Sequence, residues 1–337
     1  MALTIRDIAR MSGVSKSTVS RYLNNDSVSE ETAKKIKEVI DETGYEMNNN
    51  ARRLKSQKNN SIGIYVKGIQ STGVSRSLNT LSNELKKNAY DPFIMIGNNS
   101  DTEEDEIRDI LFLKQQRVSG VIYGTDRLTP NIEKTLSELK VPIVLIGQKS
   151  STLPYCILDN HFAGEILGEY LVSLGHNRLL FIAPTTKDIE VGNNRIQGVL
   201  AKFGQSDINF EYKKIYANDY SFEAAYSVGQ EVLKYKPSIV IGTTDRAALG
   251  ILHFLTENNI DVPNVTSLAG FGNYDFSKIV SPPLTTIEFD YETLAENTIK
   301  LLLSKVEEKE LQDKNPSRVP IELMVRESVS APKKFEI

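Results

Sequence analysis

Cysteine is nearly absent from this chain. Cys156 is the only one in 337 residues, which excludes an internal disulfide framework; within YCILDN it reads as a small core residue. Histidine is almost as scarce, at positions 161, 176 and 253 only, and no HExxH pattern arranges it for a metal. GxGxxG, GxxxxGKS/T and GxSxG are missing as well. Dinucleotide chemistry, P-loop phosphate chemistry and serine hydrolysis therefore lose their usual marks. No catalytic residue, cofactor or metal is expected, and the chain does not read as an enzyme. No apolar run approaches the roughly 20 residues that span a bilayer. The opening MALTIRDIARMSG carries Arg6, Asp7 and Arg10 where a leader needs an apolar core. A cytoplasmic protein without a membrane partner is the expectation.

What is present is the ordinary balance of a globular protein, 40% hydrophobic and 25% charged residues, in a length that predicts two or three domains. The net charge of −4 is unevenly spread. Residues 1–25 sum to +3, residues 26–50 to −4 and residues 51–60 to +4, while the remaining 277 sum to −7. Two basic islands in front of an acidic body point to a small anion-binding head.

Thr4 is a good N-cap for IRDIARMSG, in which Ile5, Ile8, Ala9 and Met11 form one apolar face and Gly13 supplies the stop. Ser15 can cap the next helix, anchored by Val19 and Leu23 until Asn24-Asn25-Asp26 breaks it. A third helix fits SEETAKKIKEVIDETGY, with Ser29 as cap, Thr32 three residues on, Ala33, Ile36, Val39 and Ile40 inward and Gly44 at its end. Two short helices joined by a glycine turn make a helix-turn-helix, whose second helix lies in the DNA major groove. Its outer face here carries Lys16, Ser17 and Arg21, a cation, a hydroxyl and a guanidinium able to reach base edges.

IRDIARMSGVSKSTVSRYLNN resembles the N-terminal signature of the LacI/GalR family of bacterial transcriptional regulators, and the resemblance runs the full chain. It implies a homodimer on near-palindromic double-stranded operator DNA. Lys16, Ser17 and Arg21 then stand at base-reading positions, and Thr4, Ser15, Thr18, Ser20 and Asn24 near phosphates. GYEMNNNARRLKSQKNN resembles the family's hinge, in which a short helix from each subunit enters the minor groove. Leu54 matches the wedging leucine, Ala51 shares its apolar face, and Arg52 and Arg53 flank it at phosphates. Eight residues are too few for a stable helix in water, so the hinge should order only on DNA beside its partner. Met47 departs from the proline usual at the hinge entry.

From Ser61 the texture becomes short β-rich runs (SIGIYV, DPFIMIG, SGVIYG, PIVLIG, CILDN, RLLFIA, SIVIGTTD, TSLAGFG) alternating with helical patterns, which means parallel sheets covered by helices. The fold expected is thus a small all-α helix-turn-helix head on an α/β body. The resemblance makes that body two Rossmann-like lobes of the type I periplasmic-binding-protein kind. Residues 1–47 would be the head, 48–60 the hinge and 61–337 the effector-binding and dimerisation domain. The N-lobe would take about 61–160 and 290–320, the C-lobe about 161–289 and 321–337, with crossings near Asn160, Asp290 and Pro320. An effector would bind between lobes, at the carboxyl ends of strands.

By the same resemblance Asp159, Arg195 and Asp245 are the expected effector contacts, with Tyr220 and Phe289 as aromatics for a sugar ring and Lys67, Gln70 and Ser71 on the N-lobe. Lys67, Arg127, Lys149 and Arg195 could also supply a phosphate site. His176, in SLGHNRLLFIA, matches a structural turn. The reading is a regulator, a repressor, of a carbohydrate-utilisation operon, controlled by a sugar or sugar phosphate and similar in wording to sucrose or trehalose repressors. Within the class, the alternative is a regulator answering to a phosphorylated carrier protein or a non-sugar effector. Outside it, the alternative is a sugar-binding receptor module, which needs export and has no use for residues 1–58. The end at SAPKKFEI carries no leucine heptads, so a dimer rather than a coiled-coil tetramer is expected.

Overall fold

Thr4 starts the first helix, its backbone N–H and hydroxyl both donating to the Asp7 carboxylate at 3.0 and 2.7 Å. The computed structural model describes residues 3–23, 27–45, 60–69, 71–98, 102–184, 188–219, 221–308 and 319–333, in two units, 1–59 and 60–337. In the first unit α1 spans Ile5–Ser12 and ends at Gly13, whose φ of 68° is the left-handed conformation that glycine adopts without strain. Helix α2 spans Lys16–Leu23, with Ser15 Oγ accepting from the Thr18 N–H at 3.1 Å. Helix α3 spans Glu30–Thr43, capped by Ser29. Ile8, Ala9, Val19 and Ile36 form the buried centre, flanked by Ile5, Leu23, Val39 and Ile40.

Met11 corrects the expected face of α1, because it is 49% exposed. The stripe runs through Ile5, Ile8, Ala9 and Ser12, the i, i+3, i+4, i+7 set, and Met11 lies on its flank. Ser12 tolerates burial because its hydroxyl donates to the Ile8 carbonyl at 2.7 Å.

In the second unit the apolar runs SIGIYV, GVIYG, IVLI, RLLFIA, IVIG and SLAGF are buried on both faces, as central parallel strands require, whereas DPFIMIG is an edge strand that leaves Ile94 and Ile96 exposed. The first sheet contains β1 (Ser61–Lys67), β2 (Asp91–Gly97), β3 (Gly120–Gly124), β4 (Ile143–Ile146) and β5 (Tyr155–Cys156), all parallel in the order β2-β1-β3-β4-β5. Its helices are α4 (Thr72–Lys87), α5 (Glu103–Gln115) and α6 (Pro130–Ser137). The second sheet has β6 (Arg178–Ala183), β7 (Glu211–Tyr216), β8 (Ile239–Gly242), β9 (Ser267–Phe271), β10 (Thr285–Phe289) and β11 (Ile321–Met324), in the order β11-β10-β9-β8-β6-β7. Only β11 is antiparallel there. Around it lie α7 (Asn160–Ser173), α8 (Arg195–Gly204), α9 (Phe222–Ser227), α10 (Gln230–Tyr235) and α11 (Asp245–Glu257).

Helix α12 (Tyr291–Val306) returns to α4 and the first sheet, and β11 goes back to the second. The chain thus passes between sheets after β5, at Asp290 and between α12 and β11. Strands β7, β10 and β11 do not stand among the β-rich runs read from the sequence. EYKKIY is an edge strand whose lysines face partly outward, and IELM is a four-residue edge strand, so neither shows a buried apolar run.

Helices α7 and α8 meet through Gly164, Gly168 and Gly198. A Cβ on Gly198 would collide with the His161 carbonyl oxygen, and one on Gly164 with that of Arg195. Only bare backbones can approach this closely, and the approach brings the first residues of the two helices, Asn160 and Arg195, together.

Candidate nucleic-acid interface and effector cleft

Helix α2 divides its residues by burial. Val19 is fully buried and Leu23 half-buried, while Lys16, Ser17 and Arg21 are exposed. Among the described residues no carboxylate pairs with Lys16 or Arg21, so the two charges remain open to an anionic partner. Ser15 Oγ lies 2.7 Å from both Ser17 Oγ and Thr18 Oγ1, a hydroxyl cluster at the helix start, where N–H groups favour anions. Thr4 is exposed with its hydroxyl turned to Asp7, and Ser20 is half-buried. Asn24, Met47 and the hinge residues Ala51, Arg52, Arg53 and Leu54 lie outside the described residues.

In the second unit a cleft of about 200 Å³ opens where strands of both sheets end. Lys67 closes β1, Thr125 and Asp126 follow β3, Gly147 and Gln148 follow β4, and Ser71 and Ser77 come from the segment entering α4 and from α4 itself. The opposite wall supplies Asn160, Asp188, Arg195, Thr244 and Tyr274, with Tyr291 at the passage between lobes. Carboxyl ends of parallel strands are where α/β sheets bind ligands.

Arg195 is only 3% exposed yet reaches this space. Its Nε donates to Asn160 Oδ1 at 2.8 Å and its Nη1 to the Thr243 carbonyl at 2.6 Å. Asn160 Nδ2 in turn donates to Glu190 Oε2 at 3.2 Å. The guanidinium lies over the Phe289 ring at 4.7 Å and the Phe271 ring at 5.2 Å from the centroids, a stacking that suits arginine's planar, weakly hydrated head.

Several expected contacts stand elsewhere. Asp245 does not line the cleft. It is fully enclosed, accepting from the Ser277 hydroxyl at 2.6 Å, the Thr286 hydroxyl and the Tyr274 N–H at 3.1 Å. Burial pushes its carboxyl pKa up, against the pull of those hydrogen bonds, and its role is to hold the loop that carries Tyr274. Phe289 is 2% exposed and serves as the shelf beneath Arg195. Asp159 caps α7, accepting from the Phe162 N–H at 3.0 Å, while its neighbours Leu158 and Asn160 line the wall. Lys67 and Ser71 line the cleft; Arg127 and Lys149 are exposed and do not. Gln70 and Tyr220 lie outside the described residues. His176 is fully buried, its Nδ1 3.2 Å from Ser238 Oγ, and burial lowers its pKa to about 4.

Asp126, Asp188 and Tyr274 line the cleft and Glu106 stands against Lys67, and none of the four is among the residues expected from sequence. Asp126 lies two residues beyond the end of β3 and is open to the same end-of-strand argument as Lys67. Glu106 lies in the acidic first turn of α5, among Glu103, Glu104 and Asp105, and has no such signal.

Residues 4–48 match the family described as bacterial regulatory proteins, lacI family, and residues 169–329 a periplasmic binding protein-like domain. The HTH-type transcriptional regulator MalR of Clostridium butyricum is 30% identical over 316 residues, 90% of this chain and 93% of that protein. The sucrose operon repressor of Staphylococcus xylosus is 30% identical over 292 residues, 86% of this chain and 89% of the relative. Among solved structures, the lac repressor dimer bound to operator and the anti-inducer ONPF superposes with a TM-score of 0.87 at 23% identity, over 98% of this chain and all of that one. The CelR–cellobiose complex gives 0.71 at 22%, over 97% and 100%. These structures share the fold, and the relatives share the sequence along both units. With a helix-turn-helix head and a two-sheet body of this topology, the chain belongs to the lacI family of bacterial regulatory proteins and is a DNA-binding transcriptional regulator.

Proposed function

We propose that the chain represses a carbohydrate-utilisation operon and that a carbohydrate bound in the cleft sets its affinity for the operator. The observation that carries this reading is the pairing, in one chain, of an α2 face whose Lys16 and Arg21 meet no carboxylate among the described residues and a cleft walled by Arg195, Asp188, Asp126 and aromatic rings. Lys16, Ser17 and Arg21 read bases in the major groove. Thr4, Ser15, Thr18, Ser20 and Asn24 lie along phosphates. Arg195 and Ser71 hold ligand hydroxyls. The head comprises residues 1–47, the hinge 48–60, and the lobes the boundaries expected above.

The working form is a cytoplasmic homodimer without enzymatic activity, because an operator with two half-sites calls for two heads. A ligand preferring one lobe arrangement shifts the equilibrium of the paired bodies, and the hinge segments with Leu54 transmit that shift to DNA. The relative named as a sucrose operon repressor supports the carbohydrate assignment. A thermal-shift screen of carbohydrates, followed by operator titration with each hit, tests it. A sugar that both raises the melting temperature and changes operator affinity is expected; sugars that leave both unchanged contradict it.

A further inference from the structure

Both cations of the cleft wall are already engaged within the protein. Lys67 Nζ stands 2.6 Å from Glu106 Oε1 and 3.2 Å from Asp126 Oδ1. The lysine side chain is 9% exposed and that of Glu106 3%. Glu106 Oε2 accepts from the Tyr123 hydroxyl and the Thr125 hydroxyl, each at 2.9 Å, so both its oxygens are occupied and the carboxylate is fixed. Burial lowers the Lys67 pKa, but the hydrogen bond to Glu106 and the charges of Asp126 and Glu106 outweigh it and hold the ammonium above the ordinary lysine value. Lys67 therefore stays protonated, and two carboxylates match its one charge.

Arg195 is committed in another way. A phosphate gains most from arginine through two parallel N–H donors. Here Nε donates to Asn160 and one Nη1 N–H to the Thr243 carbonyl, which takes the Nε donor out of a side-on pair and leaves one N–H on Nη1 and those of Nη2 for a ligand. The other charged residues on the wall, Asp126 and Asp188, are acids, and Glu106 and Glu190 stand directly behind Lys67 and Asn160. Among the described residues, two cations thus meet four carboxylates. A phosphate dianion entering this space loses hydration without gaining a matching charge. A neutral hydroxyl can donate to an acid and accept from Nη2.

Resting on the carbohydrate reading above, we infer that the cleft takes an uncharged, hydroxyl-bearing carbohydrate and excludes its phosphorylated form, with the Lys67, Glu106 and Asp126 group as the discriminating element. The phosphate site that Lys67, Arg127, Lys149 and Arg195 could have formed is not assembled: two of the four lie off the wall and the other two are engaged.

Calorimetric titration of the full chain with neutral hexoses and disaccharides, and with their 6-phosphates, tests the inference in the wild type, Glu106→Gln and Asp126→Asn. A neutral sugar should bind, its phosphate ester should bind at least about tenfold more weakly, and either substitution should narrow that ratio by freeing Lys67. An ester that binds as tightly as its parent overturns the inference and leaves the carbohydrate reading intact. Heat from neither class overturns the carbohydrate reading and this inference with it. Should Glu106→Gln fail to fold, Asp126→Asn, at a carboxylate 27% exposed, decides the matter: an unchanged ratio there removes the discriminating role from this group.

Discussion

Arg195 Nε lies 2.8 Å from Asn160 Oδ1, joining the first residues of two helices that are 35 positions apart in the chain. The bond follows from the glycine contact between α7 and α8, because only that close crossing brings the two helix starts together. It fixes one donor of the guanidinium, the Thr243 carbonyl fixes another, and the Phe289 and Phe271 rings hold its plane. The group is therefore preorganised, so a ligand meets it without first ordering a long side chain.

Gly198→Ala should show how much rests on that crossing. The added methyl would collide with the His161 carbonyl, and overpacking of a close contact costs about 1–3 kcal/mol. Urea unfolding should show the loss, and carbohydrate affinity should fall in parallel as Asn160 and Arg195 separate. Unchanged stability would mean that the helices can part freely.

His176 sets an acid limit on stability. Its imidazole is buried uncharged, with a pKa near 4 in the fold against 6.5 when unfolded. A depressed folded pKa contributes stability that is present above pH 6.5 and lost as pH falls toward 4, by up to about 3 kcal/mol. Unfolding midpoints measured from pH 7 to 4 should fall steeply in the wild type and less so in His176→Gln. Parallel curves would assign the acid sensitivity to other groups.

Arg21→Ala should weaken binding to an operator selected from random duplexes by about 1–3 kcal/mol, the cost of one lost base-reading pair. Binding to unrelated DNA should change less. Fluorescence anisotropy on both duplexes measures the difference, and equal losses would make Arg21 a phosphate contact instead.

Leu54→Ala should weaken specific operator binding while carbohydrate titration curves stay in place, because the side chain is assigned to the minor groove and not to the cleft. Operator affinity equal to that of the wild type would remove the hinge role from Leu54.

Much of this architecture is legible in sequence because its signals are local. Thr4 with Asp7, Ser15, Ser29, Gly13 and Gly44 mark helix ends through short-range hydrogen bonds and a left-handed backbone. The buried parallel strands announce themselves as apolar runs. The site is less legible, since its assignments depend on contacts between distant residues. Asp245 and Asp126 both follow a β-strand, yet the first is enclosed by Ser277 and Thr286 and the second reaches the cleft. Nothing near Lys67 in the chain shows that Glu106, 39 residues on, is its partner. Met11 and Ser12 show the same limit within one helix, where hydropathy favoured the first and the helical stripe buried the second.

The central claim is that occupancy of the cleft is read at the operator. Operator titration of the wild-type chain, with and without a saturating neutral carbohydrate already shown by calorimetry to bind, tests it most directly. The sugar should move the midpoint at least about fivefold, within the range of ordinary allosteric couplings. A midpoint that stays put while the cleft is full would contradict it.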